Sequence, residues 1–406
     1  MSLGIDMVFD FAVIMAIAAA VTFLFHRLKQ PLILGYLIAG VIIGPYTPPF
    51  SLVTRLDVVE AAAGLGVILL LFAVGLEFPI ARLRSMGLRV YAGISIIEIT
   101  LMFLISYGVG WLLGWPFMDS LFLGAALASS STVIIAKVLR EMGKFRDTSA
   151  LVMMGVLVAE DLVVVAMLAI ITAVVGGGQP SSAAGIPWTL GKILLFLAGA
   201  SLFGIFVIPK VTDWVAHPEH DAKAEHDEVL LLAALGFCFV LAVVGNALGV
   251  SMAIGAFLAG VFIAGSRSAG RVAELTSSIK DMFAAIFFVS MGAFIDITQF
   301  RSFLIPALVV TAVMVAGKVL GCGLATRLFG FGASTSLRVG LGMGQIGEFA
   351  LIVAKAGQDL GVISSWLFPT IGVSVAITAF LSPYMIRLSY RIDPGRFPAP
   401  LRRLLK

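Results

Sequence analysis

Apolar stretches of close to twenty residues recur from Val8 to Ile386, each closed by a short segment holding Arg, Lys, Asp, Gly or Pro. At about 1.5 Å of rise per residue, such a stretch crosses a hydrocarbon core of about 30 Å as an α-helix. The pattern predicts thirteen spans, at residues 7–25, 31–45, 59–79, 90–113, 119–138, 149–172, 189–209, 229–246, 250–265, 282–298, 303–325, 337–357 and 364–386. The expected fold class is therefore all-α and polytopic, a single integral membrane domain over residues 1–406.

Two spans break their own apolar pattern. Span five, "LFLGAALASSSTVIIAKVL", sets Ser129, Ser130, Ser131 and Thr132 at mid-depth. Hydroxyls there either pack against a neighbouring helix or satisfy backbone groups freed by an unwound turn, and four in a row favour the second reading. Span twelve, "GLGMGQIGEFALIVA", carries Gly340, Gly342, Gly344 and Gly347. Such a density of glycine either lets helices approach closely or permits a broken backbone.

Spans five and twelve are the fifth members of two six-span groups, about 7–172 and 229–386. Span seven, 189–209, lies between those groups as a linker, after the Gly- and Ser-rich loop "GGGQPSSAAGIP". An odd linker inverts the second group, so the expected architecture is two inverted repeats whose discontinuous helices cross at a midplane site.

Composition supports the membrane reading: 60% of the 406 residues are hydrophobic and 12% charged, with a mean hydropathy of +1.09. The net charge of +4 arises in loops and reports orientation rather than affinity for nucleic acid, so no nucleic-acid partner is expected. With the N-terminus outside, all the basic residues except Arg55, Lys192, Arg301, Lys318 and Lys355 face inward. The positive-inside rule then puts the C-terminus in the cytoplasm, and the expected location is the cell (inner) membrane. No basic residue precedes His26, so the first apolar stretch is expected to be retained as a span. Cys238 and Cys322 form no metal-ligand spacing, and no cofactor is expected.

Only five ionisable residues fall deep inside spans: Glu98, Glu160, Asp161, Lys318 and Glu348. A charge at the bilayer centre costs about 2.5 to 3.5 kcal/mol on insertion scales, so each should face a partner or a cavity. Glu160 and Asp161 stand side by side in "LVAEDLVVV" and point about 100° apart on a helix, which gives them different tasks. Asp161 is the candidate ion carrier, a buried carboxylate for which a proton and a metal cation compete. Glu160 is expected to pair with Lys318, the one deep basic residue. Alternatively, Glu160, Asp161 and Lys318 form a static network that only braces helices. Glu348, beside the second break, is expected to compensate half-helix ends, and Glu98 to compensate charge or pair with a polar neighbour; the alternative for each is direct binding of the ion. The loop "HPEHDAKAEHDE", with His217, His220 and His226, reads as a solvated segment or a pH sensor.

These motifs resemble the monovalent cation:proton antiporter-2 family, which includes Kef-type potassium and bacterial sodium/proton exchangers. The resemblance rests on "QPLILGYLIAGVIIGP" (30–45), "LLFAVGLEF" (70–78), "ASSSTVIIAKVL" (128–139), "AEDLVVV" (159–165), "NALGVSMAIGAFLAGVFIAG" (246–265), "FFVSMGAFID" (287–296) and "GQIGEFALIVA" (344–354). It implies a sodium/proton antiporter-like fold, a homodimer, elevator-like alternating access and exchange of Na+ or K+ for H+ rather than enzyme chemistry. By that resemblance Asp161 matches the residue that binds ion or proton, and Ser131 and Thr132 match the break of the first crossing helix. Lys318 matches a lysine found in many sodium exchangers. Glu160 departs from the Asp, Asn or Gln usual at its position. Kef-type proteins also continue into a cytosolic nucleotide-binding domain, and none is expected within these residues. A gated cation channel and a non-transporting membrane sensor are the competing readings.

Overall fold

A computed structural model describes residues 2–28, 30–47, 51–53, 56–76, 88–176, 204, 210, 223–248 and 252–392. It is helical throughout, with no strand among the described residues. The helices are α1 (Ser2–Arg27), α2 (Leu32–Ile43), α3 (Leu56–Leu76), α4 (Leu88–Leu112), α5 (Phe117–Ala126), α6 (Thr132–Glu141) and α7 (Thr148–Gly176), followed by α8 (Lys223–Ala247), α9 (Met252–Ala264), α10 (Ala269–Ala293), a 3-10 turn at Ile297–Gln299, α11 (Phe300–Leu328), α12 (Ala333–Gly342), α13 (Phe349–Asp359) and α14 (Leu367–Arg391). Span seven apart from Gly204, and the histidines His217 and His220, lie outside the described residues.

Six stretches among the described residues are long and apolar enough to cross a membrane: Val8–Arg27, Val90–Leu112, Thr148–Thr172, Asp227–Ala247, Ile297–Leu328 and Leu367–Arg391. Their outer faces are apolar too. Trp111, Leu112, Ile305 and Leu328 are each at least 68% exposed, an arrangement suited to lipid rather than water.

The chain forms two compact units. The first holds Met1–Ala18, Leu52–Arg82 and Met167–Ser290, and the second holds Ala19–Ser51, Leu83–Ala166 and Met291–Lys406. In the first unit α3 packs on α9 and α9 on α8. A side chain at Gly75 would strike the Phe257 carbonyl, and one at Gly260 the Phe72 carbonyl. The two glycines thus let α3 and α9 cross backbone to backbone. At the cytoplasm-facing ends expected from the charge pattern, Arg271 binds Asp227 through Nε at 2.9 Å and Glu274 through Nη1 at 2.6 Å. These bonds raise the pKa of the exposed Arg271 guanidinium further above its ordinary value.

The second unit is built on the long helix α11, which packs against α4, α12 and α14, while α5 packs on α4 and α13. Its core includes Ile94, Ile135, Met153, Leu157, Val339 and Met343, all fully buried. The two largest departures from the hydrophobic pattern are at helix starts. That pattern sets span ten at 282–298, but α10 begins at Ala269, because its first turns carry Arg271, Glu274, Lys280 and Asp281 and so escape a hydropathy window. Likewise α8 begins at Lys223, within the segment expected as a polar loop.

Candidate ion-binding site

The first break follows Ala126, where α5 stops; residues 128–131 are not helical, and α6 starts at Thr132. Ser131 is extended (φ −83°, ψ 113°) and caps α6, its Oγ accepting from Ile134 N at 3.4 Å. Breaking a helix frees backbone groups that water cannot reach at this depth, so each needs a partner. Here Ala128 O accepts from Lys318 Nζ at 3.1 Å, Ser129 O from Gly347 N at 2.9 Å, and Ser131 O from Gln345 Nε2 at 2.9 Å. Ser130 N donates to Glu160 Oε2 at 2.8 Å.

The second break runs from Met343 to Glu348, between α12 and α13. Ser130 Oγ donates to Met343 O at 3.1 Å, and Ile346 N donates to Thr378 Oγ1 at 3.2 Å. Gly347 lies so close to the first break that a Cβ would come within 2.8 Å of the Ser130 carbonyl carbon and oxygen. The two breaks therefore touch through backbone, and a larger residue at position 347 has no room.

Lys318 of α11 reaches both carboxylates from beneath the first break. Its Nζ lies 2.5 Å from Glu98 Oε1 on α4 and 2.9 Å from Glu160 Oε1 on α7, and all three side chains are fully buried. The Glu98 and Glu160 carboxylates and Cys322 Sγ lie within 4.8 Å of one another. Glu98 Oε2 has no hydrogen-bond partner among the described residues.

Asp161, next to Glu160, is placed differently. It is only half-buried, and among the described residues it makes one hydrogen bond, from Thr132 Oγ1 to Oδ2 at 3.3 Å. Glu348, 7% exposed at the start of α13, and Glu160 are the acids that act on it electrostatically. Ser129 Oγ and Gln345 Oε1 are buried acceptors without a partner among the described residues. The site thus offers one lightly bonded carboxylate, unpaired acceptor oxygens and the carbonyl ends of two half-helices, α5 and α12, which together suit a small cation or a proton.

All seven residues singled out in the sequence gather at the two breaks. Glu98, Glu160 and Lys318 form one cluster; Asp161 and Thr132 form another contact; Ser131 caps α6, and Glu348 opens α13. Ser130 plays the part expected of a hydroxyl at an unwound turn, donating to a freed carbonyl, whereas sequence reasoning missed the structural parts played by Gln345 and Thr378. A signal for Thr378 was present: Thr370, Ser374, Thr378 and Ser382 recur every four residues in an apolar helix, and all are buried.

The family model described as "Sodium/hydrogen exchanger, transmembrane" matches residues 12–388. Among curated proteins, the chain is 31% identical over 368 residues to the Na(+)/H(+)-K(+) antiporter GerN of Bacillus cereus, covering 90% of this chain and 91% of that protein. It is 29% identical to K(+) efflux antiporter 4 of Arabidopsis thaliana, covering 96% of this chain but 64% of the plant protein. Among solved structures, the sodium proton antiporter MjNhaP1 of Methanocaldococcus jannaschii superposes with a TM-score of 0.71 at 16% identity, covering 96% of this chain and 99% of that one.

Proposed function

The chain belongs to the sodium/hydrogen exchanger family, and from that premise we propose that it exchanges Na+ or K+ for H+ at Asp161, as a secondary antiporter working by alternating access. The observation that carries the assignment is the half-burial of Asp161 beside the unwound segment, with a single hydrogen bond from Thr132. A carboxylate so lightly bonded is open to a competing proton or cation, and each expels the other. That competition suffices for exchange: a proton binds on one side and leaves on the other, and a cation makes the return trip. The names of the relatives carry both ions, and none of the relatives described above is a channel or a sensor.

In this reading Thr132 and the carbonyls of the first break supply further oxygens to the cation, while Ser131 holds α6 in register. Glu160 tunes the site through Lys318, and Glu348 compensates the positive start of α13. The protein is a homodimer in the cell membrane, as its family resemblance implies, with its N-terminus outside, as the charge asymmetry of its loops favours. The test is proton flux in proteoliposomes driven by an imposed Na+ or K+ gradient. Coupled flux is expected in the native chain and absent in Asp161→Asn; coupled flux that survives the substitution would overturn the assignment.

A further inference from the structure

We propose that a cleft between the start of α2 and the C-terminal parts of α6 and α14 holds an anionic phospholipid, its phosphate on Lys137 and Arg387 and one acyl chain against the apolar walls. The three helices belong to the second unit, where α14 packs on both α2 and α6. The cleft between them measures about 90 Å³ and is walled by Ile33 of α2, Ile134 and Val138 of α6 and Pro383 of α14. That volume takes a stretch of one chain and leaves the rest of the lipid in the bilayer. Three charged side chains also line it: Lys137, Glu141 and Arg387. The one acid is already joined to Arg387, at 3.3 Å, so the cleft suits an anion and makes a poor path for the transported cation.

Both bases have donors to spare. Lys137 is half-buried and makes no ion pair or hydrogen bond among the described residues. The Arg387 guanidinium spends one N–H, through Nη2, on a pair whose side chains are 40% and 37% exposed, and its other donors match the fork of a phosphate. The start of α2 at the cleft has no side-chain cap, so its positive end adds to the same field. The charge pattern puts these helix ends at the cytoplasmic side, the level at which basic pockets between spans meet phospholipid head groups. Next to Pro383 and Arg387, Phe380, Tyr384 and Leu388 recur every four residues on α14, each at least 45% exposed. Such a strip suits contact with lipid and gives a chain entry to the cleft from the bilayer. The apolar walls favour a phosphate that carries an acyl chain over a free one.

The experiment is native mass spectrometry of the full chain in mild detergent, titrated with phosphatidylglycerol or phosphatidylcholine. The native chain should retain the anionic lipid about tenfold more strongly than the zwitterionic one, and Lys137→Gln should remove that preference. Arg140→Gln takes the same charge from the exposed side of α6 and should change retention by less than about twofold. Leu32→Trp fills the cleft with every charge kept, and it too should weaken retention about tenfold. The proposal falls if the native chain retains both lipids equally, or if Arg140→Gln acts like Lys137→Gln, which marks a general attraction to basic ends. It falls also if Leu32→Trp leaves retention unchanged or if excess inorganic phosphate displaces the lipid, since either marks a site for free phosphate. Melting temperatures in phosphatidylcholine should agree among the variants; should Lys137→Gln fail to fold, Leu32→Trp decides alone. Retention should be unchanged in Asp161→Asn, so this proposal and the exchange assignment stand or fall separately.

Discussion

Glu160 and Asp161 are neighbours in sequence and opposites in environment. Glu160 is fully buried, with an ammonium at 2.9 Å and a backbone N–H at 2.8 Å. Asp161 is half-buried, with one hydroxyl at 3.3 Å. The difference is the helix turn itself, since one residue along α7 swings a side chain by about 100° and so from beneath the break to its open side. Direction alone gives two neighbouring acids these different surroundings, and the proposed division between a tuning Glu160 and a carrier Asp161 rests on it.

The largest test of that contrast on stability is Lys318→Met. It strips Glu98 and Glu160 of their counter-charge and should destabilise the protein by about 3 to 5 kcal/mol, read as a fall in melting temperature in detergent. Next comes Gly347→Ala, whose methyl group meets the Ser130 carbonyl; overpacking of this kind costs about 1 to 3 kcal/mol, and flux should fall with it. Thr132→Val keeps the shape of α6 but removes the hydroxyl from Asp161. It should weaken cation binding by about 1 kcal/mol, about a fivefold rise in KM. The smallest effect on stability belongs to Asp161→Asn, expected within about 0.5 kcal/mol because the residue is half-buried and weakly tied. A protein that melts early as Asp161→Asn yet tolerates Lys318→Met would invert the contrast and remove its basis.

How much of this was legible in the sequence depended on what each signal encodes. The runs of Ser129 to Thr132 and of Gly340 to Gly347 announce unwound backbone, because few other roles suit such residues at mid-span, and α5, α6, α12 and α13 are the resulting half-helices. Lys318 could be matched to Glu160 by elimination, being the one deep cation. Its simultaneous contact with Glu98 could not, since hydropathy encodes depth and not the direction in which α4 turns its acid. The early start of α10 was hidden for the opposite reason: Arg271 and Glu274 make its first turns polar while the backbone continues as a regular helix. Backbone partners such as Ala128 O leave no trace in residue identity at all.

That last class changes what a mutational survey of this protein would see. The contact between the breaks is made by Gly347 N and Ser129 O, backbone atoms that do not depend on which side chains the two positions carry. Substitution can abolish the approach at position 347 but cannot retune it, because the feature has no side chain to vary. Selection acting here has a yes-or-no choice, whereas Thr132 and Glu160 offer graded ones. Differences in ion preference between related chains should therefore accumulate at those two side chains rather than at the junction.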